Sequence, residues 1–109
     1  MGHVYRGLII EDGQGVHCVI TVDGEEIPIQ RSRRLVDHSS EFQWGYGGSG
    51  PAQTAFAILL EEFGEDIALQ YYQLFKVEVI AMLEMGAPWT LVSDQIRTWL
   101  HNIECTSGG

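Results

Sequence analysis

The sequence predicts an α+β fold in which an N-terminal antiparallel meander of three strands is packed by about three C-terminal helices. The first thirty residues have strand character, and the residues at 16, 18, 20 and 22 are apolar and alternate with those at 17, 19 and 21, which is typical of a strand with one buried face. From residue 51 onward, apolar residues recur every three or four positions, which is typical of amphipathic helices. We expect one compact domain over residues 1–105, followed by a flexible tail over residues 106–109.

Three segments have strand character, namely residues 5–10, 16–22 and 25–29. Asp23 and Gly24 separate the second segment from the third. Asp-Gly is a strong hairpin signal because a type I′ turn needs positive φ at both central positions. Pro28 removes a hydrogen-bond donor from the third segment, so this strand is expected at the sheet edge or near its end.

The helical half is punctuated by proline and glycine. Pro51 can open the first helix with Gly50 as its cap, because a missing N–H costs nothing there, and Gly64 ends it. A second helix over residues 65–83 has a wide apolar surface and is expected to be the central one. After a short connection, Ser93 and Asp94 are an N-cap signal for the last helix.

The charge balance excludes one class of function. Fifteen acidic and six basic residues give a net charge of −9. General nucleic-acid binding is therefore not expected, since it depends on Lys and Arg displacing counterions from phosphates. The acidic excess instead fits a partner protein with a basic surface. Residues 51–109 hold eight acidic and two basic residues, so the helical half is the more acidic.

Two groups of residues are candidates for contact with such a partner. Trp and Tyr dominate binding hot spots, which makes the aromatic residues of the glycine-rich segment possible anchors. The acidic residues around the turn between the first two helices would face a basic surface. The candidate partner-binding set is Trp44, Tyr46, Glu61, Glu62, Glu65 and Asp66.

The glycine-rich segment offers an alternative, because four of the thirteen glycines lie between positions 45 and 50, just before a helix. Free N–H groups at a helix N-terminus bind anions. Pro51 and Ala52 stand where a phosphate loop has Lys and Ser or Thr, which favours a loop packed over the sheet. An anion site would combine Gly47, Gly48, Ser49 and Gly50 with Arg31, Arg33 and Arg34. The excess of carboxylates in the chain instead favours pairing of these arginines with neighbouring acidic residues.

The sequence contains no arrangement typical of a metal centre or a catalytic site. The four histidines and two cysteines lack the spacing of zinc ligands. His17 and Cys18 are neighbours on a strand and point to opposite faces. We therefore expect no metal, no cofactor and no enzymatic activity. Two distant cysteines, and no apolar run near the roughly 20 residues of a membrane helix, suit a cytoplasmic protein without membrane contact. The oligomeric state stays open.

Residues 44–53, with the sequence WGYGGSGPAQ, resemble a small bacterial and phage domain family of unassigned function. Further matching segments are YRG at 5–7, VDG at 22–24, LVDHS at 35–39, YQLFK at 72–76, WTL at 89–91 and IRTWL at 96–100. The family has no established activity, so the resemblance implies neither catalytic residues nor a cofactor. It implies a setting in phages, prophages or mobile elements.

Together these features predict a small, acidic, non-enzymatic binding protein of phage or mobile-element type. The leading hypothesis is an inhibitor of a host defence system, similar to an anti-CRISPR protein, that acts in the host cytoplasm by contact with a basic host protein. The alternative is a nucleotide- or anion-binding module that uses the glycine-rich loop.

Overall fold

The computed structural model describes residues 2–107 and has an α+β architecture. Its sheet contains four antiparallel strands in the order β3-β2-β1-β4. The strands are β1 (Val4–Asp12), β2 (Gly15–Val22), β3 (Glu25–Glu26) and β4 (Trp89–Val92). The predicted α+β class is confirmed, but the sheet has four strands and not the predicted three.

The helices also differ from the prediction in number and bounds. They are α1 (Ile29–Arg33), α2 (Ser49–Phe63), α3 (Glu65–Glu78) and α4 (Ser93–Ser107), and a 3₁₀ turn (Ile80–Met82) follows α3. The helix predicted over residues 65–83 therefore ends earlier. The expected tail overlaps α4 at residues 106–107, and residues 108–109 lie outside the described part of the chain. Within residues 2–107, no helix combines the length and apolar character needed to cross a bilayer.

The additional strand is the segment expected to be a connection between helices. β4 pairs with the start of β1, with Val92 opposite Val4 and Trp89 opposite Gly7. The two partners lie more than eighty residues apart in the chain, so no local pattern indicates the pairing. β4 forms one edge of the sheet and pairs with β1 only over residues 4–7, so, within the described part of the chain, residues 8–12 of β1 have a strand partner on the β2 side only.

The opposite edge of the sheet is short. Asp23 and Gly24 have φ values of 53° and 87°, which agrees with the predicted hairpin turn. β3 nevertheless contains only two residues, and Pro28 directs the chain into α1 instead of extending the strand. The third strand predicted over residues 25–29 therefore ends at Glu26.

α2 is the central helix, and the expectation that residues 65–83 would form it was wrong. Every residue from 50 to 59 is buried. The small side chains of Ala52, Ala55 and Ala57 allow neighbouring elements to pack close to this helix. α1, α3 and the 3₁₀ turn all contact it. A helix that is apolar on nearly every side belongs in the core, whereas α3 leaves Leu69 and Val77 exposed.

Two buried polar side chains on α2 hold the long segment between α1 and α2. The Gln53 carbonyl accepts hydrogen bonds from the main-chain N–H groups of His38 (2.8 Å) and Ser39 (3.2 Å). Its amide donates to the Ser32 hydroxyl (2.9 Å) and the Val36 carbonyl (2.8 Å). All the hydrogen-bonding groups of this fully buried side chain are thus satisfied.

Thr54 fixes the approach to the glycine-rich loop in a similar way. Its hydroxyl donates to the Gln43 carbonyl (2.8 Å) and accepts from the Gln43 N–H (3.0 Å). Two residues later, Gly45 donates its N–H to the Ile80 carbonyl at 3.0 Å. The loop is therefore tied to α2 on one side and to the 3₁₀ turn on the other.

Gly45 is the position where this loop most requires glycine. Its φ is 87°, and a Cβ atom there would lie 2.5 Å from the N and Cα atoms of Met85. Replacing Gly45 by Ala should lower the free energy of unfolding by about 2 to 4 kcal/mol, because backbone strain adds to overpacking. Gly47 is the matched control, since nothing lies within 4 Å of a Cβ atom there. Urea unfolding of both alanine variants tests this, and equal losses would contradict it.

Candidate functional site

Trp44, a predicted partner anchor, lies in the core. Its side chain is 2% exposed, and its ring stands edge-on to Trp89 with centroids 5.5 Å apart. The indole N–H donates to the Ala87 carbonyl at 2.8 Å. Trp44 therefore holds the loop against the body of the protein and cannot contact a partner. Tyr46 is 39% exposed and donates its hydroxyl to Gln43, so it stays accessible.

Glu62, another predicted contact residue, is not available to a partner, because its carboxylate is buried and both of its oxygens accept hydrogen bonds. One oxygen accepts from the Tyr5 hydroxyl (2.7 Å) and the Ser93 hydroxyl (2.6 Å). The other accepts from Nε of Arg97 at 2.6 Å. Ser93 was expected to cap α4, but its hydroxyl instead joins this network and accepts from the His3 N–H at 2.6 Å.

The network keeps Glu62 ionised. Burial alone would raise the pKa of its carboxyl, but the hydrogen bonds from Ser93, Tyr5 and Arg97 outweigh that effect and lower it. The pKa of Tyr5 moves far upward because the phenol is desolvated and donates to a carboxylate. The phenol is therefore a permanent donor at physiological pH.

The other predicted acidic residues remain at the surface. Glu65 and Asp66 are exposed in the first turn of α3, where negative charge is favoured by the helix dipole. Glu61 is half-buried and forms an ion pair with Arg31. The turn between α2 and α3 thus presents three of the four predicted carboxylates, one of them partly neutralised.

Glu61 belongs to a concave surface that the sequence did not indicate. A groove of about 370 Å³ lies between the β2–β3 turn and α2, and we call it the acidic groove. Its charged lining residues are Asp23, Glu25, Glu26, Glu61 and Arg31. Four carboxylates face one guanidinium there, so the groove is strongly negative. The signal in the sequence was two glutamates after the Asp-Gly turn, but their neighbour Glu61 comes from a helix more than thirty residues away.

His3 lies at the margin of this groove and modifies its charge. Its Nδ1 atom is 2.6 Å from Oδ2 of Asp23, and the other oxygen, Oδ1, accepts from the Val4 N–H at 2.9 Å. The hydrogen bond to Asp23 raises the pKa of His3, and the same bond lowers the pKa of Asp23. Protonation of His3 therefore partly neutralises this end of the groove.

The groups required by the alternative anion site are not brought together. A cavity of about 270 Å³ at the start of α2 is lined by Gly47, Gly48 and Ser49, together with His38 and Lys76. None of the three predicted arginines lines it. Arg31 pairs with Glu61, and Arg33 donates two hydrogen bonds to Asp37. Arg34 has no ion pair within the described residues. The three arginines, which lie in or directly after α1, therefore do not line the cavity beside the glycine-rich loop.

The reactive side chains are scattered over the described residues. Within residues 2–107, no three His, Cys, Asp or Glu side chains are arranged to hold a metal ion. Burial raises the pKa of the Cys18 thiol, and the nearby Glu41 raises it further, which disfavours the thiolate. Cys105 lies 3.6 Å from His101 on the exposed side of α4.

The chain belongs to a protein family described as a family of unknown function (DUF6166), whose model matches residues 5–102. The match spans all four strands, α1 to α3 and most of α4. No curated protein and no solved structure matches the chain.

The Glu62 network predicts a pH-dependent contribution to stability. Replacing Glu62 by Gln should lower the free energy of unfolding by about 2 to 3 kcal/mol at pH 7, because Arg97 loses its carboxylate and the amide satisfies the donors less well. The pKa of Glu62 is lowered in the folded chain, so its contribution is present above the ordinary value of 4.5 and lost as the pH falls through the lowered value. The difference in the free energy of unfolding between the native chain and the Glu62→Gln variant should therefore become smaller in acid.

Urea unfolding at pH 7 and in steps below pH 4.5 measures this difference. The exposed residue Glu65, replaced by Gln, is the control and should change stability by less than about 0.5 kcal/mol. A Glu62 deficit that stays constant across this pH range would contradict the assignment.

Proposed function

We propose that this protein is a non-enzymatic binding module that receives a basic part of a partner protein in the acidic groove. The observation that carries the proposal is the excess of four carboxylates over one guanidinium in a concave surface. Asp23, Glu25 and Glu26 are all exposed there. Such a surface complements Lys and Arg side chains and repels acidic partners.

The proposal is supported by the other five Lys and Arg residues, because none of them lines the groove. Arg33 is paired with Asp37 and Arg97 with Glu62. Within the described residues, Glu25 and Glu26 have no ion pair. Their charge is therefore available to a partner. Glu65 and Asp66, at the start of α3, are also exposed and have no ion pair within the described residues.

We further propose that the partner is a host defence protein and that the chain, encoded by a phage or mobile element, inhibits it in the manner of an anti-CRISPR protein. Surfaces that bind nucleic acid are strongly positive. A small acidic protein can occupy such a surface and exclude the nucleic acid. The resemblance of residues 44–53 to a bacterial and phage family supports this setting.

The test is phage plating on a bacterial strain with an active CRISPR system that expresses the chain. The native chain should restore plating, and the double variant Glu25→Gln/Glu26→Gln should reduce the rescue at least about tenfold, because each rim charge steers association. The control is Glu84→Gln/Glu104→Gln, which removes the same charge from exposed positions outside the groove. Affinity capture from the same cells should recover a defence component.

Absence of any protection by the native chain, together with capture of no defence component, would refute the inhibitor. Equal loss in both double variants would refute the role of the acidic groove and leave only a general effect of charge.

A thermal-shift experiment distinguishes the proposed function from the alternative, which is nucleotide or anion binding. We expect ATP, GTP and cyclic nucleotides to leave the melting temperature unchanged, because Arg31, Arg33 and Arg34 lie outside the cavity at the start of α2. A ligand at a hundredfold excess over its Kd would stabilise the chain by about 2.7 kcal/mol. A saturable shift that is abolished by Lys76→Gln would favour the alternative.

A further inference from the structure

The edge of β2 is open along most of its length. β3 pairs only with Thr21 and Val22, and the Ile27 N–H then donates to the Ile20 carbonyl at 2.9 Å. Beyond that point the chain turns away into α1. In the part of the chain that the structure describes, residues 15–19 have a strand partner on the β1 side only.

The antiparallel register identifies which main-chain groups are left unpaired. Asp12 and Gly15 flank the two-residue turn and face each other. Because hydrogen-bonding direction alternates along an antiparallel strand, Val16 and Cys18 direct their N–H and C=O groups away from β1. These four groups form a template that a further strand can complete.

Residues 17–19 of this edge line a groove. A second groove of about 370 Å³, which we call the edge groove, is lined on one side by His17, Cys18 and Val19 of β2. Residues 26–30 and 40–42 form its other walls. At about 3.3 Å per residue, five residues span the open edge.

The lining of the edge groove favours a particular chemistry. Val19, Pro28 and Ile29 provide apolar surface, and each is at least partly exposed. Glu26 and Glu41 are exposed and have no ion pair within the described residues. Glu26 lines both this groove and the acidic groove, so the two negative surfaces are continuous. An occupant with alternating basic and apolar side chains would satisfy both features.

We propose that the open edge of β2 binds an extended, basic segment of the partner protein by strand addition in the edge groove. This inference rests on the proposed function and specifies the form in which the partner is bound. Main-chain hydrogen bonds to Val16 and Cys18 hold the segment, while Glu26 and Glu41 select for basic side chains. A second copy of the chain is the poorer occupant, because each copy has a charge of −9 and the same carboxylates at its edge.

The experiment uses a random heptapeptide library panned on the immobilised full-length chain. We expect the enriched sequences to alternate Lys or Arg with β-branched apolar residues. The best sequence is then synthesised in two forms, with N-methyl groups on either its odd or its even residues. Because alternate amides of a strand face the same edge, one form should bind like the parent peptide and the other at least about tenfold more weakly.

A variant of the chain provides an independent reading of the same contact. Val16→Pro removes an N–H on the open edge, and its affinity for the peptide should fall by a similar factor. Val16→Thr keeps the N–H and a β-branched side chain, so it is the matched control. Circular dichroism verifies that the proline variant is folded, and the two N-methyl forms test the pairing without any change to the chain.

Three outcomes would overturn strand addition: no enriched sequence, equal binding of the two N-methyl forms, or a folded Val16→Pro variant with native affinity. These outcomes are distinct from failure of the proposed function. If the peptide weakens with Glu25→Gln/Glu26→Gln while both N-methyl forms bind alike, the acidic groove stands and only the strand pairing fails. If strand pairing is found but plating is never restored, only the inhibitor is refuted.

Discussion

The buried carboxylate of Glu62 is the constraint on which the arrangement of the sheet depends. A charge removed from water is strongly destabilising unless donors surround it. Here the donors come from Tyr5 in β1 and from Ser93 and Arg97 in α4. All three residues lie far from Glu62 in the sequence. The carboxylate therefore fixes β4, which ends just before Ser93, beside β1. One glutamate on α2 thus joins the N-terminal hairpin to the C-terminal helix.

Near this network, the two edges of the sheet differ. On one side, β4 and α4 are held to β1 through the Glu62 network. On the other, β3 is two residues long and the chain leaves the sheet at Pro28. The adjacent residues Glu61 and Glu62 follow the same division, because Glu62 is directed inward to the β4 side and Glu61 lines the acidic groove on the β3 side.

The sequence predicted the features that depend on local chemistry and missed those that depend on distant contacts. Alternation and the Asp-Gly turn indicated the first two strands, and Gly64 correctly marked the end of α2. The pairing of β4, by contrast, needs a partner from the N-terminus. Trp44 and Glu62 were candidate partner contacts because Trp dominates binding hot spots and Glu62 lies in an acidic run, although the sequence favoured a glycine-rich loop packed over the sheet. Their burial follows from donors and acceptors contributed by remote segments.

The acidic groove and the open edge of β2 meet at Glu26, and the two surfaces would serve different stages of binding. The electrostatic attraction of exposed carboxylates acts over several ångströms, so it mainly raises the rate of association and favours partners with positive charge. Main-chain pairing at Val16 and Cys18 acts only in contact, so it would determine how slowly the partner leaves. Because the backbone is common to all sequences, this pairing alone gives little selectivity. Selection therefore falls to Glu26 and Glu41, whose spacing along the groove sets where basic side chains can lie.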